Sequence, residues 1–275
     1  MTQGLTGRLT RGLSEADHER LGDELFEALR TRSVLEPLTN RETDITIDDA
    51  YQISLRMLAR RTAEGEKVIG KKIGVTSKPV QDMLGVHQPD FGFMTDAMQV
   101  NNGAVVSLAQ VNLIQPRAEG EIAFVLKSDL HGPGVTESDV LAATDYVTPC
   151  FEIVDSRIKD WAVKIQDTVA DNASCGIFVV GEGRVDPNTL DLAAVKMDIE
   201  CNGEHVAEGL GSAVQGHPCT AVAWVANTLG AYGITLNAGD IILSGSLAPL
   251  LPITPGDRYS MTLEGIGTAS IGFEN

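Results

Sequence analysis

Pro116-Arg117-Ala118-Glu119-Gly120-Glu121-Ile122-Ala123-Phe124-Val125-Leu126 carries two carboxylates into five consecutive apolar residues. A short apolar run of this kind reads as a buried strand. Alternation along a strand puts Glu119 and Glu121 on one face, roughly 7 Å apart. Two carboxylates so placed repel each other unless something positive lies between them. A divalent cation with oxygen ligands would answer that need, and Gly120 would leave room for close approach. The alternative is a strand end in solvent, with Arg117, of the same parity, pairing with Glu119. Pattern alone leaves both open.

A second run, Cys150-Phe151-Glu152-Ile153-Val154, holds one carboxylate in an apolar setting. A buried Glu is seldom found unless paired or bound to metal. Its pairing alternative is Arg157. Together Glu119, Glu121 and Glu152 make a candidate all-oxygen site with positions left for substrate and water. Such donors suit Mg²⁺ or Mn²⁺ better than zinc.

Other segments carry candidate chemistry. In Gly70-Lys71-Lys72-Ile73-Gly74 the two lysines fall on opposite faces of a strand, one inward and one outward, or both are solvated at an edge. Pro89-Asp90 reads as the start of a turn, with a loop-borne active-site carboxylate as the other reading. The Asp90-Phe91-Gly92 triplet is not that of a kinase, because no His-Arg-Asp and no glycine-rich loop with a following lysine accompany it. Asp171-Asn172-Ala173-Ser174, after Asp167, suits hydrogen bonding to a substrate or forms an ordinary turn. Ser174 lacks the Gly-x-Ser-x-Gly setting of a hydrolase nucleophile. The five histidines show no ligand spacing, and dinucleotide and phosphate-loop fingerprints are absent.

Outward from these segments the chain is β-rich. Apolar runs at Gly176 to Val180, Val195 to Glu200, Ile241 to Leu243, Tyr259 to Leu263 and Ala269 to Phe273 are closed by Gly, Pro or Asp, with one obvious helix at Pro218 to Leu229. The N-terminal part reads as helical. Ser14 and Asp17 form a capping box before Leu21, Leu25, Phe26 and Leu29, and a second helix starts at Asp48 with Tyr51, Leu55 and Leu58 as its stripe. Pro37 to Asp44 reads as a loop between them. The expected division is a helical part over residues 1–66 and a β-rich catalytic domain over 67–275.

The 275 residues are 43% hydrophobic and carry 21 Lys+Arg against 38 Asp+Glu, a net charge of −17. That balance argues against nucleic acid or an anionic membrane as partner. It also means that an anionic substrate needs a local positive centre. Met1 to Arg11 has no signal core, and the apolar tail stretch Ile241 to Ile253 is broken by Gly245, Pro249 and Pro252. Four cysteines without a Cys-x-x-Cys pair fit reduced thiols in a cytoplasm.

Taken in order, Gly70 to Ser77, Leu84 to Gly92, Pro116 to Glu121, Glu152 to Arg157 and Asp167 to Gly176 resemble the 2-oxopent-4-enoate (2-hydroxypenta-2,4-dienoate) hydratases of aromatic meta-cleavage pathways, within the fumarylacetoacetate hydrolase superfamily. The likeness runs from about Asp48 to the C-terminus. It implies an α+β fold, a mixed β-roll with a helical N-terminal part, assembled into homo-oligomers that can also form a complex with a sister decarboxylase. It implies Mg²⁺ or Mn²⁺ on Glu119, Glu121 and Glu152, and a small 2-oxo or 2-hydroxy dienoic acid as substrate. Lys72, not Lys71, matches the motif lysine, Asp90 the motif aspartate and Ser174 the motif serine. The mechanism expected from acid–base and electrostatic chemistry has Lys72 hold the substrate carboxylate or donate a proton, Asp90 move protons to or from water and substrate, and Ser174 orient a polar group. The rival readings are 4-oxalocrotonate decarboxylase, whose members share the look of Leu130 to Gly134 but tend to lack the acid at Asp90, and a hydratase of a longer dienoate such as 2-hydroxyhexa-2,4-dienoate. More distant are an acylpyruvate hydrolase and a non-catalytic partner subunit, against which the intact Glu119, Glu121, Glu152, Lys72 and Asp90 speak.

Overall fold

The computed structural model describes residues 12–275. Its first elements are two seventeen-residue helices packed on each other, α1 (Glu15–Thr31) and α3 (Ile47–Ala63), with a single turn, α2 (Leu38–Arg41), in the segment expected to be loop. Ser14 and Asp17 form the expected capping box of α1. A second box, Thr46 with Asp49, starts α3 one residue before the expected Asp48. The expected stripe of α3 is off by a face. Ala50, Ile53 and Met57 are fully buried against α1, whereas Tyr51, Leu55 and Leu58 are half-buried and face the β core. Both sides of α3 are therefore covered, and periodicity alone could mark only one of them.

The strands follow in two sheets. The larger contains β1 (Val68–Gly74), β2 (Asp90–Thr95), β3 (Gln99–Val100), β5 (Arg117–Leu126), β6 (Thr144–Val154), β7 (Cys175–Val180), β10 (Ile241–Ser246) and β11 (Leu251–Pro252). Its order is β2-β1-β10-β5-β6-β7-β3, with β11 paired to β5. The smaller has the order β4-β13-β12-β8-β9, from β4 (Val105–Ser107), β8 (Lys196–Cys201), β9 (Glu204–Leu210), β12 (Arg258–Leu263) and β13 (Gly267–Glu274). The β1–β10, β3–β7 and β4–β13 pairs are parallel and the others antiparallel, so the expected mixed β-roll with a helical N-terminal part is what forms. The remaining helices are α4 (Lys78–Leu84), α5 (Glu137–Ala143), α6 (Ile165–Ala170) and α7 (Pro218–Gly230), only the last of which the sequence announced.

Gly120 marks where the sheets touch. A Cβ there would lie 2.4 Å from Met197 Sδ and 2.8 Å from Met261 Sδ, both on the smaller sheet. The glycine between the two glutamates thus serves the face opposite to them, which corrects the expectation that it makes room for a cation. The helical layer is tied to the roll by shared apolar packing, since Ile158, Ile165 and Val169 belong to the same core as Leu25 and Ile53. It is also tied by Asp167, whose carboxylate accepts from the Thr39 backbone N–H (3.0 Å) and hydroxyl (2.8 Å).

β1 lies inside the sheet, between β2 and β10, so neither lysine is solvated. They do take opposite faces. Lys71 Nζ donates to Asp240 Oδ2 at 2.6 Å in a buried ion pair, while Lys72 turns towards the glutamates. The expected opposite faces are therefore observed, and the alternative of two solvated edge lysines is not. Removing one partner of a buried pair strands the other charge, at a cost of about 3–5 kcal/mol. Lys71→Ala is therefore expected to lower unfolding stability by about that much in a denaturant titration, and Lys71→Met with Asp240→Leu to recover most of it. An unchanged midpoint for Lys71→Ala would show that the pair contributes nothing.

Candidate active site

Register brings the three glutamates together. Glu119 on β5 is directly opposite Glu152 on β6, and opposite residues of an antiparallel pair share a face. Glu121, two residues on, lies on that face too. One carboxylate oxygen from each falls within 4.8 Å of the others. Glu121 and Glu152 are fully buried, and Glu119 is the partly exposed member. Glu121 Oε2 accepts from the Gly245 N–H at 2.7 Å. Gly245 takes φ +112, and a Cβ there would press on Thr76, so glycine is required.

What remains is an excess of unpaired acid. Glu121 Oε1, both oxygens of Glu152 and Oδ1 of Asp90 are buried without a hydrogen-bond partner. Such groups cost free energy in proportion to their charge. Burial and the neighbouring Glu152 carboxylate push Glu119 up to about 8, and burial with Glu152 and Glu119 holds Glu121 well above the carboxylate range. A hard divalent cation would use those oxygens and cancel that repulsion, and the all-carboxylate donor set fits one.

Lys72 supplies the local positive charge. Its Nζ lies 3.3 Å from Glu152 Oε1, an ion-pair contact, and donates to the Ala173 carbonyl at 3.0 Å. Burial works against the ammonium, but Glu152, Glu119 and Asp90 outweigh it and hold its pKa above the ordinary value. Asp90 is the first residue of β2, not part of a turn, and is 2% exposed. A Cβ on Gly74 would lie 2.3 Å from Asp90 Oδ1 and 3.2 Å from Lys72 Nζ, so that glycine keeps space beside both groups. Burial raises the Asp90 pKa; Lys72 opposes the shift and Glu152 adds to it.

The Asn-Ala-Ser segment is a backbone device. Asn172, Ala173 and Ser174 all take positive φ (55°, 49° and 52°), a strained run for residues with side chains. It is held from several sides. Asn172 Oδ1 accepts from the Phe93 N–H (2.8 Å) and Asn172 Nδ2 donates to the Phe93 carbonyl (2.9 Å), which pairs the free edge of β2 as a neighbouring strand would. Asp171 is locked to the fully buried Arg157 at 2.5 Å, and the Asp155 N–H donates to the Ser174 carbonyl at 2.7 Å. The product is the Ala173 carbonyl aimed at Lys72. The Ser174 hydroxyl faces Asp171 (3.3 Å) and Thr168 (3.4 Å).

Neither simple pairing alternative for the glutamates is realised. Arg117 stacks over the Trp161 ring at 4.5 Å, and Arg157 belongs to Asp171. Glu119, Glu121, Glu152, Lys72 and Asp90 converge, while Ser174 sits behind them on the turn that orients Lys72. Tyr51, Ile165 and Val169, apolar residues without a chemical signature in the sequence, line a cavity of about 340 Å³ whose wall includes Asp90. Across β8 and β9, His205 does approach Asp198 and Glu208, but all three are exposed and offer no buried unpaired oxygen.

Comparison with known proteins agrees with this geometry. Residues 67–272 match the family described as fumarylacetoacetate (FAA) hydrolase C-terminal. The chain is 66% identical over 255 residues to a 2-hydroxyhexa-2,4-dienoate hydratase of Comamonas testosteroni, covering 93% of this chain and 97% of that one. It is 63% identical over 214 residues to a 2-hydroxypent-2,4-dienoate hydratase of Pseudomonas putida, covering 78% and 96%. Among solved structures, 4-oxalocrotonate decarboxylase from Pseudomonas putida G7, complexed with magnesium and adipate, superposes with a TM-score of 0.92 at 36% identity over 96% of this chain and 99% of that one.

The crowded carboxylates give the metal-free protein a characteristic pH dependence. Glu119 rises from an unfolded value of 4.5 to about 8 in the fold, so the folded state holds a proton there that the unfolded chain has released. Its stabilising contribution is complete below about 4.5 and is lost as pH rises through about 8. The unfolding temperature of chelator-treated protein should thus fall across that window, and Mg²⁺ should raise it more at pH 8 than at pH 6. An unfolding temperature that Mg²⁺ leaves unchanged at both pH values would contradict the site.

Proposed function

The chain belongs to the fumarylacetoacetate hydrolase family, and from that premise we propose that it is a divalent-metal-dependent hydratase adding water to 2-hydroxypenta-2,4-dienoate to give 4-hydroxy-2-oxopentanoate. The observation that carries this reading is the convergence of Glu119, Glu121 and Glu152, with Lys72 3.3 Å from Glu152 and Asp90, one of whose oxygens has no hydrogen-bond partner, beside them. A 2-oxo acid presents a carboxylate and an adjacent oxygen, and this site offers donors for a cation together with a fixed ammonium.

Glu119, Glu121 and Glu152 would hold the cation, Mg²⁺ or Mn²⁺, which when bound would supply Lewis-acid stabilisation of negative charge on the substrate 2-oxygen. Lys72, immobilised by Ala173 and Glu152, binds the substrate carboxylate and fixes the acid in one orientation. The substrate loses its 2-hydroxyl proton and gains one at carbon 5. Water then adds across carbons 3 and 4, hydroxyl to carbon 4 and hydrogen to carbon 3. Asp90 accepts the proton that the attacking water releases and returns one to carbon. Ser174 acts as a positioning residue by holding the strained turn that sets the Ala173 carbonyl.

A second reading, decarboxylation of 4-oxalocrotonate, is favoured by the 0.92 superposition. Both reactions develop charge on the same oxygen, so the glutamates do not separate them. Hydration alone needs a water positioned and its proton managed, and Asp90 is the group available. Purified protein with Mg²⁺ should convert 2-hydroxypenta-2,4-dienoate to 4-hydroxy-2-oxopentanoate and release little CO₂ from 4-oxalocrotonate. Asp90→Asn should lower hydration roughly 10²-fold while leaving metal affinity nearly unchanged. Efficient CO₂ release without hydration of the dienoate would promote the decarboxylase reading.

A further inference from the structure

The cavity between α3, α6 and the Gly85-to-Asp90 segment is not used by the groups that hold the substrate head. Much of its lining is apolar: Tyr51 from α3, Ile165 and Val169 from α6, and Val86. Tyr51 is fixed by stacking on Phe91, with ring centroids 4.4 Å apart and planes 11° off parallel. Its polar rim, His87 and Gln88, is exposed. Among the described residues lining it there is no lysine or arginine, and the one carboxylate is Asp90.

Asp90 is therefore the junction between the carboxylate site and this cavity. If it serves carbon 4, as the proposed hydration requires, then carbons 1 and 2 lie on its metal side and everything beyond carbon 4 extends past it into the cavity. We propose that this cavity is the tail subsite of the enzyme, and that it selects dienoates ending in an uncharged alkyl group longer than that of pentadienoate while rejecting those ending in a carboxylate. The inference rests on the hydratase reading above. Carbon 5 alone, a group about the size of one water, which takes ~10–15 Å³ on this measure, would leave most of the 340 Å³ unfilled. Each further buried methylene is worth about fourfold in binding. A terminal carboxylate would instead be desolvated beside Asp90 with no cation in the depth of the cavity to meet it. One wall comes from α3, outside the residues 67–272 that match the family, so the helical N-terminal part shares in the selection with α6 and the Gly85-to-Asp90 segment.

The test compares kcat/KM with Mg²⁺ for dienoates carrying hydrogen, methyl, ethyl or carboxylate at carbon 5. Methyl and ethyl should exceed hydrogen by roughly three- to tenfold, and carboxylate should fall at least 10²-fold below methyl. Val169→Phe and, separately, Ile165→Phe fill the cavity and should reverse the ethyl-to-hydrogen ratio, while Val169→Lys should raise the carboxylate-to-methyl ratio at least tenfold. Binding of saturated 2-oxo acids of four to seven carbons to the Mg²⁺-loaded protein, followed by calorimetry, reads the same subsite without chemistry and should tighten with chain length in the wild type but not in Val169→Phe. Equal kcat/KM across the tails, or ratios that none of the folded variants moves, would overturn the subsite. Tightening with chain length but no hydration of any dienoate would retain the subsite and overturn the hydratase reading instead.

Discussion

Mutual repulsion among Glu119, Glu121 and Glu152 is the constraint around which the larger sheet is organised. Three carboxylates on one face of an antiparallel pair, two of them fully buried, oppose folding unless positive charge is brought among them. Lys72 answers part of that demand from β1, which β10 and β5 separate from β6 in the sheet order. One ammonium does not balance three glutamates and Asp90, and the unpaired oxygens of Glu121 and Glu152 mark where a dication would complete the neutralisation. With that dication in place, an acidic chain of net charge −17 would acquire a local centre able to receive an anionic substrate.

Much of the surrounding structure serves to keep Lys72 and Asp90 in place. The left-handed run Asn172–Ser174 directs a carbonyl at Lys72 and closes the edge of β2, and Gly92 allows the approach because a Cβ there would lie 2.4 Å from the Asn172 carbonyl oxygen. Arg157, buried and paired to Asp171, holds that run from behind, and Asp167 ties the same region to Thr39 in the helical layer. A rigid setting of this kind is what proton transfer at a defined carbon needs. The helices contribute more than cover, since α3 supplies one wall of the cavity that meets Asp90.

The strand positions and the shared face of Glu119 and Glu121 were legible from the residues, because two-residue alternation leaves no freedom once a strand is granted. The pairing of Glu152 with that face was not, since cross-strand register is set by the whole sheet. Lys71 and Lys72 were separable by parity, but the burial of Lys71 depends on Asp240, 169 residues away. Asp90 follows a proline, a local turn signal that pairing with Gly74 overrides. Gly120 was given to the wrong face because nothing local announces Met197 and Met261 across the roll. The resemblance in motif order, rather than any spacing, singled out Lys72, Asp90 and Ser174. The tail cavity had no sequence signature, as it is assembled from two helices and a loop that are distant in the chain.

The central claim is that Glu119, Glu121 and Glu152 share one divalent cation. Anomalous diffraction from a crystal of the wild-type protein soaked in Mn²⁺ tests it most directly. A single strong peak should appear within bonding distance of all three carboxylates, about 2.0–2.4 Å from an oxygen of each, and should vanish in Glu152→Gln. A fully active protein whose only manganese peak lay elsewhere, such as at Asp198, His205 and Glu208, would contradict it.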